Sequence, residues 1–117
     1  MTPKNLALKI ANFALEKKGK QVTMMDLTGL TGFTDYFVII SGDSDIHIKA
    51  ISDHIETKLK ENKVNIYHKE GYQFLQWVLL DYIDVIVHIF RNEVREYYSL
   101  ERLWGDAKIK LIKDNQH

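Results

Sequence analysis

Asp35-Tyr36-Phe37-Val38-Ile39-Ile40-Ser41, followed at once by Gly42-Asp43-Ser44-Asp45, decides the architecture of this chain. The first stretch is aromatic and β-branched without alternation, the pattern of a central strand covered on both faces. The second ends that strand and offers hydroxyl and carboxylate caps for a helix over residues 45–62. On that helix Ile48, Ile51, Ile55 and Leu59 recur at spacings of three and four, an amphipathic stripe. A buried strand that runs into such a helix predicts a sheet with helices packed on it.

Toward the N-terminus, Thr2 can cap a first helix and Pro3 suits its first position, where the missing amide had no partner. Leu6, Ile10, Phe13 and Ala14 form its stripe, widened by Leu8, Ala11 and Leu15. Lys17 and Lys18 favour its negative end, and Gly19 suits a left-handed stop. Residues 21–27 read as a strand and 28–32 as a turn. Toward the C-terminus, 65–67 reads as a short strand and Glu70-Gly71-Tyr72 as a turn. Two further strands, 75–80 and 85–90, are joined through Asp81-Tyr82-Ile83-Asp84. A last helical stretch, about 92–104, brings Tyr98, Leu100, Leu103 and Trp104 near one another. The expected class is α/β (α+β): one mixed sheet of about five strands flanked by helices. Residues 1–107 form a single domain on this reading, and 108–117 a short basic C-terminal tail.

The 117 residues are 45% hydrophobic and 27% charged, which suits a globular domain and not a disordered one. Zero cysteines exclude a disulfide scaffold, a thiolate metal site and a cysteine nucleophile. The longest apolar runs, Phe37 to Ile40 and Trp77 to Leu80, are far shorter than a membrane span. The first residues show no secretory pattern, so a cytoplasmic protein with no membrane partner is expected. The formal net charge is zero, yet unevenly spread. Residues 1–20 carry five lysines and one glutamate, 21–104 carry eight bases and thirteen acids, and 105–117 carry three lysines and two aspartates. The acidic body has the wrong sign for gripping phosphates, so little direct nucleic-acid binding is expected.

Ser41 to Asp45 lies where phosphate-binding turns sit, but it lacks the glycine spacing of a dinucleotide site and the lysine of a P-loop. Helix capping and a ligand turn are its two readings. A nucleotidyltransferase needs two carboxylates one residue apart on a strand, with a third beside them. Asp81 and Asp84 are three apart across a turn, and the strand Val85 to Phe90 has no carboxylate. His47 and His54 lie two turns apart on one helix and cannot share an ion alone, and His88 reads as a sheet-face histidine with one hydrogen-bond partner. Neither a catalytic residue, a metal ligand nor a cofactor is expected.

The segment Glu70 to Asp84 is the least ordinary. In a strand, Trp77, Leu79 and Asp81 face one way, Val78 and Leu80 the other. Both faces are mostly apolar while the chain has few helices to cover them. Trp77 is then either a core residue or the centre of an exposed aromatic patch edged by Tyr72, Asp81, Tyr82 and Asp84.

At these residues the chain resembles the ribosomal silencing factor family, also called Iojap-like proteins, from about Lys4 to Ala107. The resemblance is carried by Asp35-Tyr36-Phe37-Val38-Ile39, Ser41-Gly42, Ala50-Ile51, Glu70-Gly71-Tyr72 and Trp77-Val78-Leu79-Leu80-Asp81-Tyr82. It continues through Asp84-Val85-Ile86-Val87-His88-Ile89-Phe90 and Arg95-Glu96-Tyr97-Tyr98-Ser99-Leu100-Glu101-Arg102-Leu103-Trp104. The order and spacing of these stretches make the match specific. It implies a fold related to nucleotidyltransferases without their catalytic carboxylates. It also implies a non-enzymatic factor that binds the large ribosomal subunit through a ribosomal protein at the subunit-joining face, number fourteen in the large-subunit series. Such a factor blocks subunit association and represses translation. Tyr72, Trp77 and Tyr82, with Leu79, would then be anchors, and Asp81, Asp84 and Glu101 would steer a basic partner. Family members often carry glycine where this chain has Ile83, which predicts another geometry for the Asp81–Asp84 turn. A nucleotide-binding or nucleotidyltransferase-like enzyme and a homodimer through the apolar strands are the competing expectations.

Overall fold

The first helix, α1 (Pro3–Glu16), starts where Thr2 Oγ1 accepts the Asn5 amide at 3.1 Å, with Pro3 at its first position. The chain reverses through Lys18 (φ 63°) and not through Gly19. Gly19 serves close approach instead: a Cβ there would lie 2.9 Å from Ile40 Cγ2 and 3.0 Å from the Ala14 carbonyl oxygen. β1 (Lys20–Asp26) follows, then β2 (Tyr36–Gly42), whose last six residues are all buried, as its unbroken apolar run predicts. Ser44 Oγ accepts the His47 amide at 3.1 Å and opens α2 (Asp45–Glu61). The remaining elements are β3 (His68–Glu70), β4 (Trp77–Asp81), β5 (Val85–Arg91), α3 (Asn92–Tyr98), α4 (Leu100–Leu103) and β6 (Lys108–Leu111). This computed structural model describes residues 1–105 and 107–113, without the side chain of Tyr97. The end of the expected tail, 114–117, lies outside the described residues.

Among the described residues the strands form one six-stranded mixed sheet in the order β3-β4-β5-β2-β1-β6, with β2 and β5 parallel and the other neighbours antiparallel. The sixth strand comes from the stretch expected to be a tail. Lys108 to Leu111 alternates charged and apolar residues and pairs with β1, Met24 opposite Lys110. The short strand expected at 65–67 is displaced to His68–Glu70, and Leu75 (φ 57°) keeps β4 from starting before Trp77. The expected single helix at 92–104 breaks at Ser99, whose φ of 45° separates α3 from α4.

One sheet face, with Met24, Val38, Ile40, Val78, Leu80, Val87 and Ile89, packs under α1 and α2. The other carries Met25, Phe37, Ile39, Ile86 and Phe90, with Leu100 and Trp104 over part of it. Each fully buried aliphatic side chain contributes about 1.5–3 kcal/mol relative to exposure, so the α1/α2 layer carries most of the stability. No helix of the described residues is long and apolar enough to cross a membrane.

Candidate docking surface

The second face is where the molecule is incompletely covered. Strand parity places Trp77, Leu79 and Asp81 of β4 there, opposite Phe90, His88 and Ile86 of β5. Trp77 is half-buried. Its ring lies 4.8 Å from Phe90 and 4.7 Å from Tyr98 of α3 between centroids, and its Nε1–H donates to His88 Nδ1 at 3.1 Å. Trp77 is neither wholly core nor wholly exposed: one side of the ring is packed and the other reaches a cleft. That cleft, about 380 Å³, is lined by Gln76, Trp77, Glu93, Val94 and Tyr98. Because an indole N–H only donates, Nδ1 of His88 must accept, which leaves the proton on Nε2. Burial pushes His88 down to about 3, so the ring is neutral beneath the surface. Phe33 extends the aromatic surface, with its ring 6.4 Å from Phe37 and 6.1 Å from Trp104. Phe33, Tyr98 and Leu103 are all exposed large side chains.

Arg95 holds this lid of short helices in place. It is buried, and its guanidinium donates to Gln21 O at 2.7 Å, Ser41 Oγ at 2.9 Å, Thr23 Oγ1 at 3.0 Å and Glu101 Oε2 at 2.8 Å. One side chain of α3 thereby joins β1, β2 and α4. Burial pushes the Glu101 carboxyl up, and the Arg95 hydrogen bonds and charge more than offset this, so its pKa ends below the usual value.

The expected patch residues do not lie together. Tyr82 is 7% exposed and sits in the core under α2, on the opposite face from Trp77, so it is no part of an exposed patch. The tight turn after β4 reverses its direction. Tyr72 also belongs to the α2 side: its hydroxyl donates to Asp53 Oδ1 at 2.8 Å, and Lys69 Nζ lies 4.3 Å from its ring centroid. Glu101 is engaged by Arg95. Leu79 and Asp81 remain on the Trp77 face, and Asp84 is exposed at the loop. Asp81 Oδ1 accepts the Ile83 amide at 2.7 Å, and Ile83 takes a left-handed φ of 74°. The turn therefore keeps the conformation that glycine would favour, contrary to the expectation of another geometry. The apolar support from Phe33 and Val94 has no periodic signal, since one lies in a loop and the other in a seven-residue helix. Tyr98 and Trp104 were grouped by spacing, but nothing in sequence linked them to Trp77.

The Ser41–Asp45 turn is occupied by its own side chains. Asp43 pairs with Lys20 at 3.0 Å and accepts from Asn92 at 3.0 Å, and Asp45 pairs with Arg91 at 2.7 Å. His47 Nε2 meets Lys17 O at 2.9 Å while its Nδ1 accepts the Asp43 amide at 3.0 Å, and His54 meets Glu16 at 2.7 Å, so both tie α2 to the α1 end. Among the described residues no group of three His, Asp or Glu side chains is placed to hold a metal ion.

Comparison with known proteins matches the whole chain, residues 1–117, to the family model described as "Ribosomal silencing factor during starvation". The chain is 40% identical over 103 residues to ribosomal silencing factor RsfS of Bacillus subtilis, covering 87% of each protein. It is 41% identical over 101 residues to that of Chromobacterium violaceum, covering 86% of this chain and 83% of the relative. A crystal structure of a protein from Chromobacterium violaceum superposes with a TM-score of 0.87 at 32% identity, covering 97% of this chain and 95% of that one. Sequence and fold agree, and the chain belongs to the ribosomal silencing factor family.

Proposed function

We propose that this protein binds the large ribosomal subunit through large-subunit ribosomal protein fourteen, at the subunit-joining face, and represses translation by blocking subunit association in the cytoplasm. The observation that carries this reading is the half-covered sheet face centred on Trp77, where a rigid aromatic cluster adjoins an open cleft. Large aromatic anchors in such a setting are what dominate binding energy at protein interfaces. Trp77, Leu79, Tyr98 and Phe33 supply the apolar centre, and Asp81 and Asp84 supply an acidic rim suited to a basic ribosomal protein. Obstruction needs occupancy of a surface and no turnover, so neither cofactor nor catalytic group enters the mechanism. A second copy docked on the same strands would compete with the ribosomal partner.

Sedimentation of mixed subunits tests the proposal. The protein is expected in the large-subunit fraction, with fewer intact ribosomes formed. Unchanged ribosome formation with no protein in that fraction overturns it. Trp77→Ala and Leu79→Lys are expected to weaken binding, and circular dichroism checks that each variant remains folded.

A further inference from the structure

β6 alternates in a way that gives the sheet edge two different characters. Ile109 and Leu111 lie on the same face as Met25, while Lys108 and Lys110 lie opposite Asp26 and Met24 on the α1 face. There they meet Lys4 from the first turn of α1. Together with Met24, Asp26 and Tyr36 these lysines line a cleft of about 210 Å³. The three lysines come from opposite ends of the chain, so counting charge along the sequence could not reveal their convergence.

The cleft is a net cationic site. Asp26 Oδ1 accepts the Thr28 amide at 2.9 Å, and its carboxyl is held low first by Thr28 and then by Lys108 and Lys4. Asp26 thus faces Lys108 and Lys4, while Lys110 lines the same cleft and Asp35 acts on Tyr36 from nearby. Among the described residues none of the three lysines makes an ion pair, whereas Lys20, Lys58 and Lys69 do. Tyr36 and Met24 add an apolar floor on which a ribose or base edge can rest. The sheet order places β6 four strands from β4, roughly 19 Å from Trp77 at about 4.8 Å per strand. The cleft opens on the α1 face and Trp77 on the other, so a partner engaged at Trp77 leaves the cleft uncovered at the far edge of the sheet.

We propose that the cleft formed by Lys4, Lys108 and Lys110, at the β6 edge on the α1 face, binds the phosphate backbone of RNA at a site separate from the protein docking surface. The proposal rests on the ribosome-binding reading for its setting, because a large ribosomal subunit surrounds its proteins with RNA. It amends the expectation of little nucleic-acid contact, giving a small, backbone-directed contact distinct from the protein-directed surface.

The test uses the full-length protein and the triple variant Lys4→Gln/Lys108→Gln/Lys110→Gln, measured against salt. Each phosphate contact adds about 0.7–0.9 to the slope of log affinity against log salt. The triple variant is expected to flatten the slope for the large subunit by about 2 and to weaken binding about tenfold at physiological salt. Lys→Arg at the same positions should restore the slope. Affinity for isolated ribosomal protein fourteen should be unchanged. A slope and affinity equal to wild type overturn the inference, as does an equal loss against the isolated protein, which would mark an acidic protein surface as the ligand. A 20-base-pair RNA duplex at low salt separates this inference from the docking reading. Lysine-dependent binding to the duplex supports the cleft even if the wild-type protein fails to bind the subunit, and equal duplex binding by wild type and variant overturns it.

Discussion

Replacing Arg95 by methionine removes a cation and its hydrogen bonds while nearly keeping the side-chain length. The guanidinium donates to a carbonyl, two hydroxyls and a carboxylate, all from elements other than its own helix. Breaking a buried charge network costs about 3–5 kcal/mol when the remaining partner stays buried and unpaired. Two features pull the figure to the lower end. Thr23 Oγ1 retains its own bond to Gln21 O at 2.9 Å, and the Glu101 side chain is 31% exposed and can regain water. The expected loss is about 3 kcal/mol, a large share of the roughly 6–15 kcal/mol expected for a domain of this size. Near the midpoint this corresponds to a fall of about 12 °C in Tm. Urea unfolding of wild type, Arg95→Met, Glu101→Gln and the double variant measures it. Glu101→Gln alone should destabilise by leaving a buried cation short of its anion, and adding it to Arg95→Met should cost little more. A loss below about 1 kcal/mol for Arg95→Met, or full additivity in the double variant, refutes the clip between α3, α4 and the sheet.

Further outcomes follow from single sites. Gly71→Ala is expected to destabilise by about 2–4 kcal/mol, because its φ is 80° and a Cβ would lie 2.0 Å from the Trp77 carbonyl oxygen; denaturant titration measures it. Ile83→Gly should stabilise, by up to about 1 kcal/mol, since a β-branched residue holds a φ of 74° there; an unchanged or lower Tm counts against it. His88 is held down to about 3 in the folded protein, from an ordinary 6.5. The unfolded chain therefore binds the extra proton first, and stability present above pH 6.5 is lost as pH falls toward 3, by about 1.4 kcal/mol per pH unit. His88→Phe should flatten stability across that range, and retention of the full slope would assign it to other groups.

The mixed sheet was legible because Phe37 to Ile40 lacks alternation while Ile48 to Leu59 has helical spacing, and both patterns are local. The strand parity of Trp77, Leu79 and Asp81 was equally legible, since side chains alternate every residue in a strand. Tyr82 was misplaced because a patch was inferred from nearness in sequence, whereas the turn after Asp81 carries it to the other face. β6 was missed because four residues, half of them lysine, carry too weak a strand signal until β1 is beside them.

By itself, then, the sequence determined the class of fold, the orientation of each side chain along β4 and, through its motif series, the family. Only the tertiary structure decided which sheet face stays partly open. That depends on α3 and α4 being too short to cover it and on Arg95 fixing where they lie. It also decided which charges meet, because Lys4 and Lys110 become neighbours through strand pairing and helix packing, not through any property of the chain near either residue.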